Sequence, residues 1–67
     1  MRNTLRAARK EKGMTQKQMA AHLHISERHY KKIESGESAG RIEMWDALED
    51  LLNHPQRDLR YQEDSPS

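Results

Sequence analysis

Residues 14–36 read MTQKQMAAHLHISERHYKKIESG and contain two hydroxyl residues, Thr15 and Ser26, each opening a run too short to form a stable helix alone. The Thr15 hydroxyl can accept from the Gln18 amide while the Gln18 side chain reaches back to the Thr15 amide, which is a capping box. Met14 and Met19 stand at the spacing of a hydrophobic staple, and Met19, Ala20 and Leu23 give the helix an apolar stripe. The device recurs: Ser26 caps the next helix, Ile25 and Tyr30 stand at staple spacing, Tyr30 and Ile33 face inward, and Gly36 lies just past the end. Two capped short helices joined by HLHIS let the second cross the first steeply and present one face outward, which is helix-turn-helix geometry.

Working outward, Asn3 or Thr4 can cap a first helix running to about Lys12, with Leu5 and Ala8 inward and Gly13 in the left-handed position after its end. Downstream, RIEMWDALEDLL predicts a fourth helix from about Arg41, with Ile42, Trp45, Leu48 and Leu52 on its inner stripe and acids opposite. Pro55 can start one more short turn carrying Leu59 and Tyr61, and the last residues have the composition of a disordered tail. The expected division is therefore a helix-turn-helix domain over residues 1–54 and a tail over 55–67. The fold class is all-α, a compact four- to five-helix bundle.

Composition bounds the possibilities. With 67 residues, 33% hydrophobic, the chain holds one small core, and with no cysteine neither a disulfide framework nor a thiolate metal site can reinforce it. A reducing cytoplasm fits this. The basic N-terminal stretch lacks the apolar run of a signal peptide, and no membrane span is legible. The net charge of +1 hides an asymmetry: residues 1–36 carry nine Lys or Arg and three acids, net +6, whereas the remainder carries three and eight, net −5. A basic half of this kind suggests a polyanion footprint, the alternative being ordinary solvated surface charge. His22, His24, His29 and His54 lack Cys companions, so no metal site is expected. No nucleophile with a base, no phosphate-binding glycine loop and no room for a substrate pocket are evident, so neither an enzyme, a cofactor nor a small-molecule substrate is expected.

Leu5, Arg9, Gly13, Thr15 with Gln16, Ala20, Leu23, Ile25 with Ser26, Ile33, the triplet Glu34-Ser35-Gly36, and Ile42, Trp45 and Leu48 stand at fixed spacings. On these residues the chain resembles, over residues 4–52, the helix-turn-helix domain of Cro and C1-type regulators, a fold of the lambda-repressor-like DNA-binding type. The resemblance implies an ion pair between Arg9 and Glu34. The helical wheel agrees, because Glu34 falls within about 70° of the inward centre set by Tyr30 and Ile33, where an acid needs a partner. There are two departures: His24 stands where the family usually has Gly in the turn, and Glu49 where it usually has a small apolar residue. The ending WDALEDLLNHP is also similar to small phage-borne regulators, including those associated with anti-CRISPR operons.

At 100° per residue, Arg28 lies nearly opposite the core side of the third helix, with Lys31 and Lys32 beside it and Glu27 and His29 at the margins. Arg28 is the first candidate for reading a base, because its planar fork matches guanine O6 and N7. Lys32, Glu27 and His29 are further candidates, although an acid in the first turn is equally explained by the helix dipole. Gln16, Thr15, Lys17, Ser26, Lys31 and Arg41 are candidate phosphate contacts, and the Tyr30 hydroxyl is a further possible one. The expected partner is double-stranded DNA bearing an inverted repeat, bound by a homodimer that uses the fourth helix and residues 53–61. The competing reading is an antitoxin or adaptor whose helix-turn-helix mainly binds a protein, with the acidic half as its docking surface.

Overall fold

The computed structural model describes residues 1–62, which form five helices and no strand: α1 (Asn3–Glu11), α2 (Gln16–His22), α3 (Glu27–Ser35), α4 (Ile42–Leu52) and α5 (Gln56–Arg60). Both predicted caps around the helix-turn-helix are present. The Gln18 amide donates to Thr15 Oγ1 at 3.1 Å and the Thr15 amide donates to Gln18 Oε1 at 2.8 Å. The His29 amide donates to Ser26 Oγ at 3.0 Å, and Gly36 ends α3 in the left-handed region. Met14 is half-buried against the core and Met19 fully buried, as a staple requires.

One start differs from the sequence reading. Neither Asn3 nor Thr4 caps α1; Arg2 takes the cap position and makes no side-chain cap. The reason is tertiary, because the Arg2 backbone amide donates to the Glu34 carbonyl at 2.9 Å, so the chain enters α1 already tied to the end of α3. The Arg2 side chain completes this tie. Its buried guanidinium donates to the Ile33 carbonyl, to the Ser38 carbonyl at 2.7 Å and to the Arg60 carbonyl at 3.2 Å, and lies 5.1 Å from the centre of the Trp45 ring. A cation at the carbonyl end of α3 is favoured by the helix dipole. Burial, and secondarily the charge of Arg60, lowers the Arg2 pKa from its ordinary value.

Every helix contributes to one core: Leu5 and Ala8, Met19 and Ala20, Tyr30 and Ile33, then Met44, Trp45, Leu48 and Leu52, and finally Leu59. Ile42 is a correction, since it was expected on the inner stripe of α4 but is 72% exposed, with Met44 inside instead. Met44, Trp45, Leu48 and Leu52 set the inward direction, and Ile42 stands roughly 100° away from it. Gly40, at φ +74°, lies against Met44 and Trp45, so a Cβ there would displace the Met44 methyl and crowd the indole, and Trp45 Nε1 donates to the Ala39 carbonyl at 2.9 Å.

The segment expected as a tail from residue 55 opens with α5, which packs on α1 and α4 through the fully buried Leu59, while Tyr61 is 60% exposed. Glu49, unusual at its position, has a local role: its carboxylate accepts the Gln56 amide at 2.9 Å and so caps α5. The expected disorder of the final residues concerns 63–67, which lie outside the described residues.

The turn residue His24 adopts φ +58°. A side chain in that region costs on the order of 1 kcal/mol, partly offset in a glycine variant by the greater freedom of its unfolded chain. His24→Gly is therefore expected to stabilise the domain by about 0.5 kcal/mol, a rise of roughly 2 to 4 °C in the thermal midpoint read by circular dichroism. An unchanged or lower midpoint would show that the turn carries no such strain.

Candidate nucleic-acid interface

The orientation of α3 is set by what it buries. Tyr30, Ile33 and Glu34 are inside, whereas Glu27, Arg28, His29, Lys31 and Lys32 are exposed, so the outward face carries three cations and one acid. Arg28 and Lys32 are four residues apart and hence neighbours on that face. Glu27 is not isolated, because its Oε2 lies 3.6 Å from Lys31 Nζ. This exposed pair adds at most a few tenths of a kcal/mol to stability, but it reduces the negative charge that Glu27 presents beside the helix.

Glu34 reaches inward to the expected partner. Arg9 Nε donates to Glu34 Oε2 at 2.9 Å and Arg9 Nη2 donates to Oε1 at 3.2 Å, with both side chains buried. The fork of the guanidinium matches the carboxylate, and its remaining arm donates from Nη1 to the Met14 carbonyl at 2.8 Å. Hydrogen bonding to Glu34 raises the Arg9 pKa above its ordinary value.

Gln16 joins this network, since its Nε2 donates to Glu34 Oε1 at 3.3 Å. An amide nitrogen has two hydrogens, so this bond orients the half-buried Gln16 side chain while leaving one donor to offer outward. Thr15, Lys17 and Ser26 are exposed. The Thr15 and Ser26 hydroxyl oxygens accept cap bonds and retain an O–H to donate. Arg41, exposed, occupies the cap position of α4.

The Tyr30 hydroxyl, considered a possible phosphate contact from sequence, is corrected by the structure. Tyr30 is fully buried, its hydroxyl lies beside Arg9 and Glu34, and it makes no hydrogen bond among the described residues. Burial first, and then the neighbouring Glu34 carboxylate, raises its pKa well above the ordinary phenol value of 10.0.

The histidines, scattered in sequence, are partly gathered in space. His22, His24 and His29 line a groove of about 560 Å³ together with Leu23, Ile25, Met44, Ala47, Arg41 and Glu43. Among the described residues no three His, Cys, Asp or Glu side chains form a group able to hold a metal ion, and no helix is long and apolar enough to cross a membrane. Arg2, which locks the end of α3, has no signature in the sequence, because its partners are backbone carbonyls and an aromatic face.

A capped α2, a left-handed turn and a cation-bearing α3 held by a buried ion pair define a helix-turn-helix unit. A helix-turn-helix family model matches residues 5–55, and the chain belongs to this family, of the Cro/C1 type. It is a DNA-binding transcription regulator. No curated protein and no solved structure matches the chain significantly.

Breaking a buried pair from one side leaves an uncompensated charge, which costs about 3 to 5 kcal/mol. A domain of this size has a total stability of only about 3 to 10 kcal/mol. Glu34→Ala is expected to leave much of the protein unfolded at 37 °C by thermal melting, and a midpoint equal to wild type would remove the pair from its central place. A second expectation concerns alkaline pH. Because the folded state holds Tyr30 neutral, its contribution is complete below the unfolded phenol value near 10 and is lost as pH rises above it. Tyr30→Phe, which also removes an unpaired buried hydroxyl, should match or exceed wild type at pH 7 and lose less stability between pH 9 and 11 in urea titrations. Parallel stability curves would contradict this.

Proposed function

We propose that the protein is a sequence-specific transcriptional repressor that binds an inverted-repeat operator as a homodimer, with α3 in the major groove. Its concrete form is an autorepressor of a phage or mobile-element operon, acting in the cytoplasm of a bacterial cell or infected host. The observation that carries the reading is the division of α3: Glu34 is held inward by Arg9 and Tyr30 is buried in the core, so Arg28 and Lys32 face solvent. A rigid element is what direct readout needs, because bidentate recognition of a base edge tolerates little misplacement.

In this reading Arg28 reads a guanine through O6 and N7, with Lys32 beside it. Glu27 and His29 make secondary base contacts at the groove wall. Gln16, Thr15, Lys17, Ser26, Lys31 and Arg41 contact phosphates and fix the register without reading sequence. Gln16 is the best prepared of these, because its bond to Glu34 orients the amide before DNA arrives.

The phosphate contribution is testable through salt, since each contact adds about 0.9 to the slope of log affinity against log salt. Selection from a random duplex library should return an inverted repeat bound with a steep salt dependence; a flat response with no enriched site would favour the adaptor reading. Arg28→Ala should relax preference at one position per half-site, losing about 1 to 3 kcal/mol of discrimination with an unchanged thermal midpoint. Undiminished specificity in the folded variant would remove Arg28 from the role of base reader.

A further inference from the structure

The groove beside the turn enters the DNA reading only through His29 and Arg41. No motif announces it, because its residues come from the end of α2, the turn, the first turn of α3, and α4. Its volume of about 560 Å³ lies within the range of small-ligand sites, about 300 to 1,000 Å³. The half-buried Leu23, Ile25 and Ala47 and the buried Met44 give it an apolar lining, and a methionine thioether adapts to the shape of a guest. Four exposed side chains of the lining can carry positive charge, the imidazoles of His22, His24 and His29 and the guanidinium of Arg41, against the single acid Glu43. Among the described residues Arg41 and Glu43 form no ion pair with each other. His24 also keeps its imidazole in the groove at φ +58°, where a side chain is strained and glycine is not.

We propose that this groove binds a small organic carboxylate, its apolar body on Leu23, Ile25, Met44 and Ala47 and its carboxylate held by Arg41 and the imidazoles. Charge complementarity selects this guest. An ammonium would face four groups of its own sign and one acid, and a neutral guest would leave the fork of Arg41 without the carboxylate it matches. Imidazole donates an N–H in either protonation state, so the three histidines add donors around the same anion. Arg41 and His29 serve DNA in the reading above, so guest and duplex draw on the same side chains and each lowers the affinity of the other. That competition rests on the DNA reading; occupancy of the groove does not.

The test follows the backbone amide resonances of the full 67-residue chain as phenylbutyrate is added, with phenylbutanol as its uncharged counterpart. The acid should shift the amides of residues 22–25, 29 and 41–47 saturably, with a dissociation constant of about 1 mM for a ligand of its size. The alcohol should bind about 10-fold more weakly, because it forms no charge-assisted bonds. His24→Gly, a variant expected to gain stability, should weaken the acid by about 10-fold and leave the alcohol unchanged. Ala47→Phe, which fills the groove, should weaken both. No saturable shift, an alcohol as tight as the acid, or undiminished affinity in His24→Gly would each overturn the proposal. So would shifts at the groove on raising the protein concentration without probe, which would mark a second copy as its occupant. Affinity for a random duplex, measured at matched ionic strength, should fall several-fold when the acid saturates the chain. An unchanged affinity would overturn the competition, whereas a chain that binds no duplex at all fails the DNA reading, and the resonance shifts alone then decide the occupancy of the groove.

Discussion

The buried pair of Arg9 and Glu34 is the constraint on which the rest of the domain depends. Both carboxylate oxygens accept from the guanidinium, a third bond comes from Gln16, and the remaining arm of Arg9 holds the Met14 carbonyl ahead of α2. One ion pair thus ties α1, the start of α2 and the C-terminal half of α3. Two desolvated charges are poor sources of net stability compared with an apolar replacement, but their geometry is directional where apolar packing is not. Here the direction fixes the roll of α3 about its own axis. With Glu34 held inward, Arg28 is obliged to face solvent.

Arg2 secures the same end of α3 from the other side, through the Ile33 carbonyl and the backbone bond from its own amide to Glu34. The C-terminal half of α3 is therefore gripped by α1 and by the residue preceding it, while the N-terminal half is fixed by the Ser26 cap and by Tyr30. A helix anchored in this manner can offer its first turns to a ligand without the ligand having to order them, which lowers the entropic cost of binding. The family's fold delivers this arrangement with a chain of 67 residues, for which every buried side chain matters.

The two departures from the usual family pattern have local physical accounts of different kinds. His24 accepts backbone strain in a turn where glycine would have none, and in that place it joins His22 and His29 around the groove that separates the turn from α4. Glu49 exchanges an apolar position for a carboxylate that caps α5, and α5 in return delivers Leu59 to the core. The first substitution concerns the geometry of the helix-turn-helix, and the second concerns the attachment of the last helix.

The sequence by itself determined the features whose causes lie within a few residues. Thr15 with Gln18, Ser26, and the left-handed Gly13 and Gly36 are short-range hydrogen-bonding and steric effects, so the number of helices around the turn and the inward set Met19, Ala20, Tyr30 and Ile33 could be read directly. The outward direction of Arg28 and Lys32 followed from the same periodicity, as did the need of the inward Glu34 for a partner, whereas Arg9 as that partner came from the family resemblance. Tertiary structure alone decided what depends on elements distant in the chain. Arg2 rather than Asn3 or Thr4 begins α1 because its amide meets Glu34, and Ile42 turns outward because Met44, Trp45, Leu48 and Leu52 are the side chains that α4 packs inward. The helical wheel supplies a period but no origin, and only packing against the rest of the molecule sets that origin.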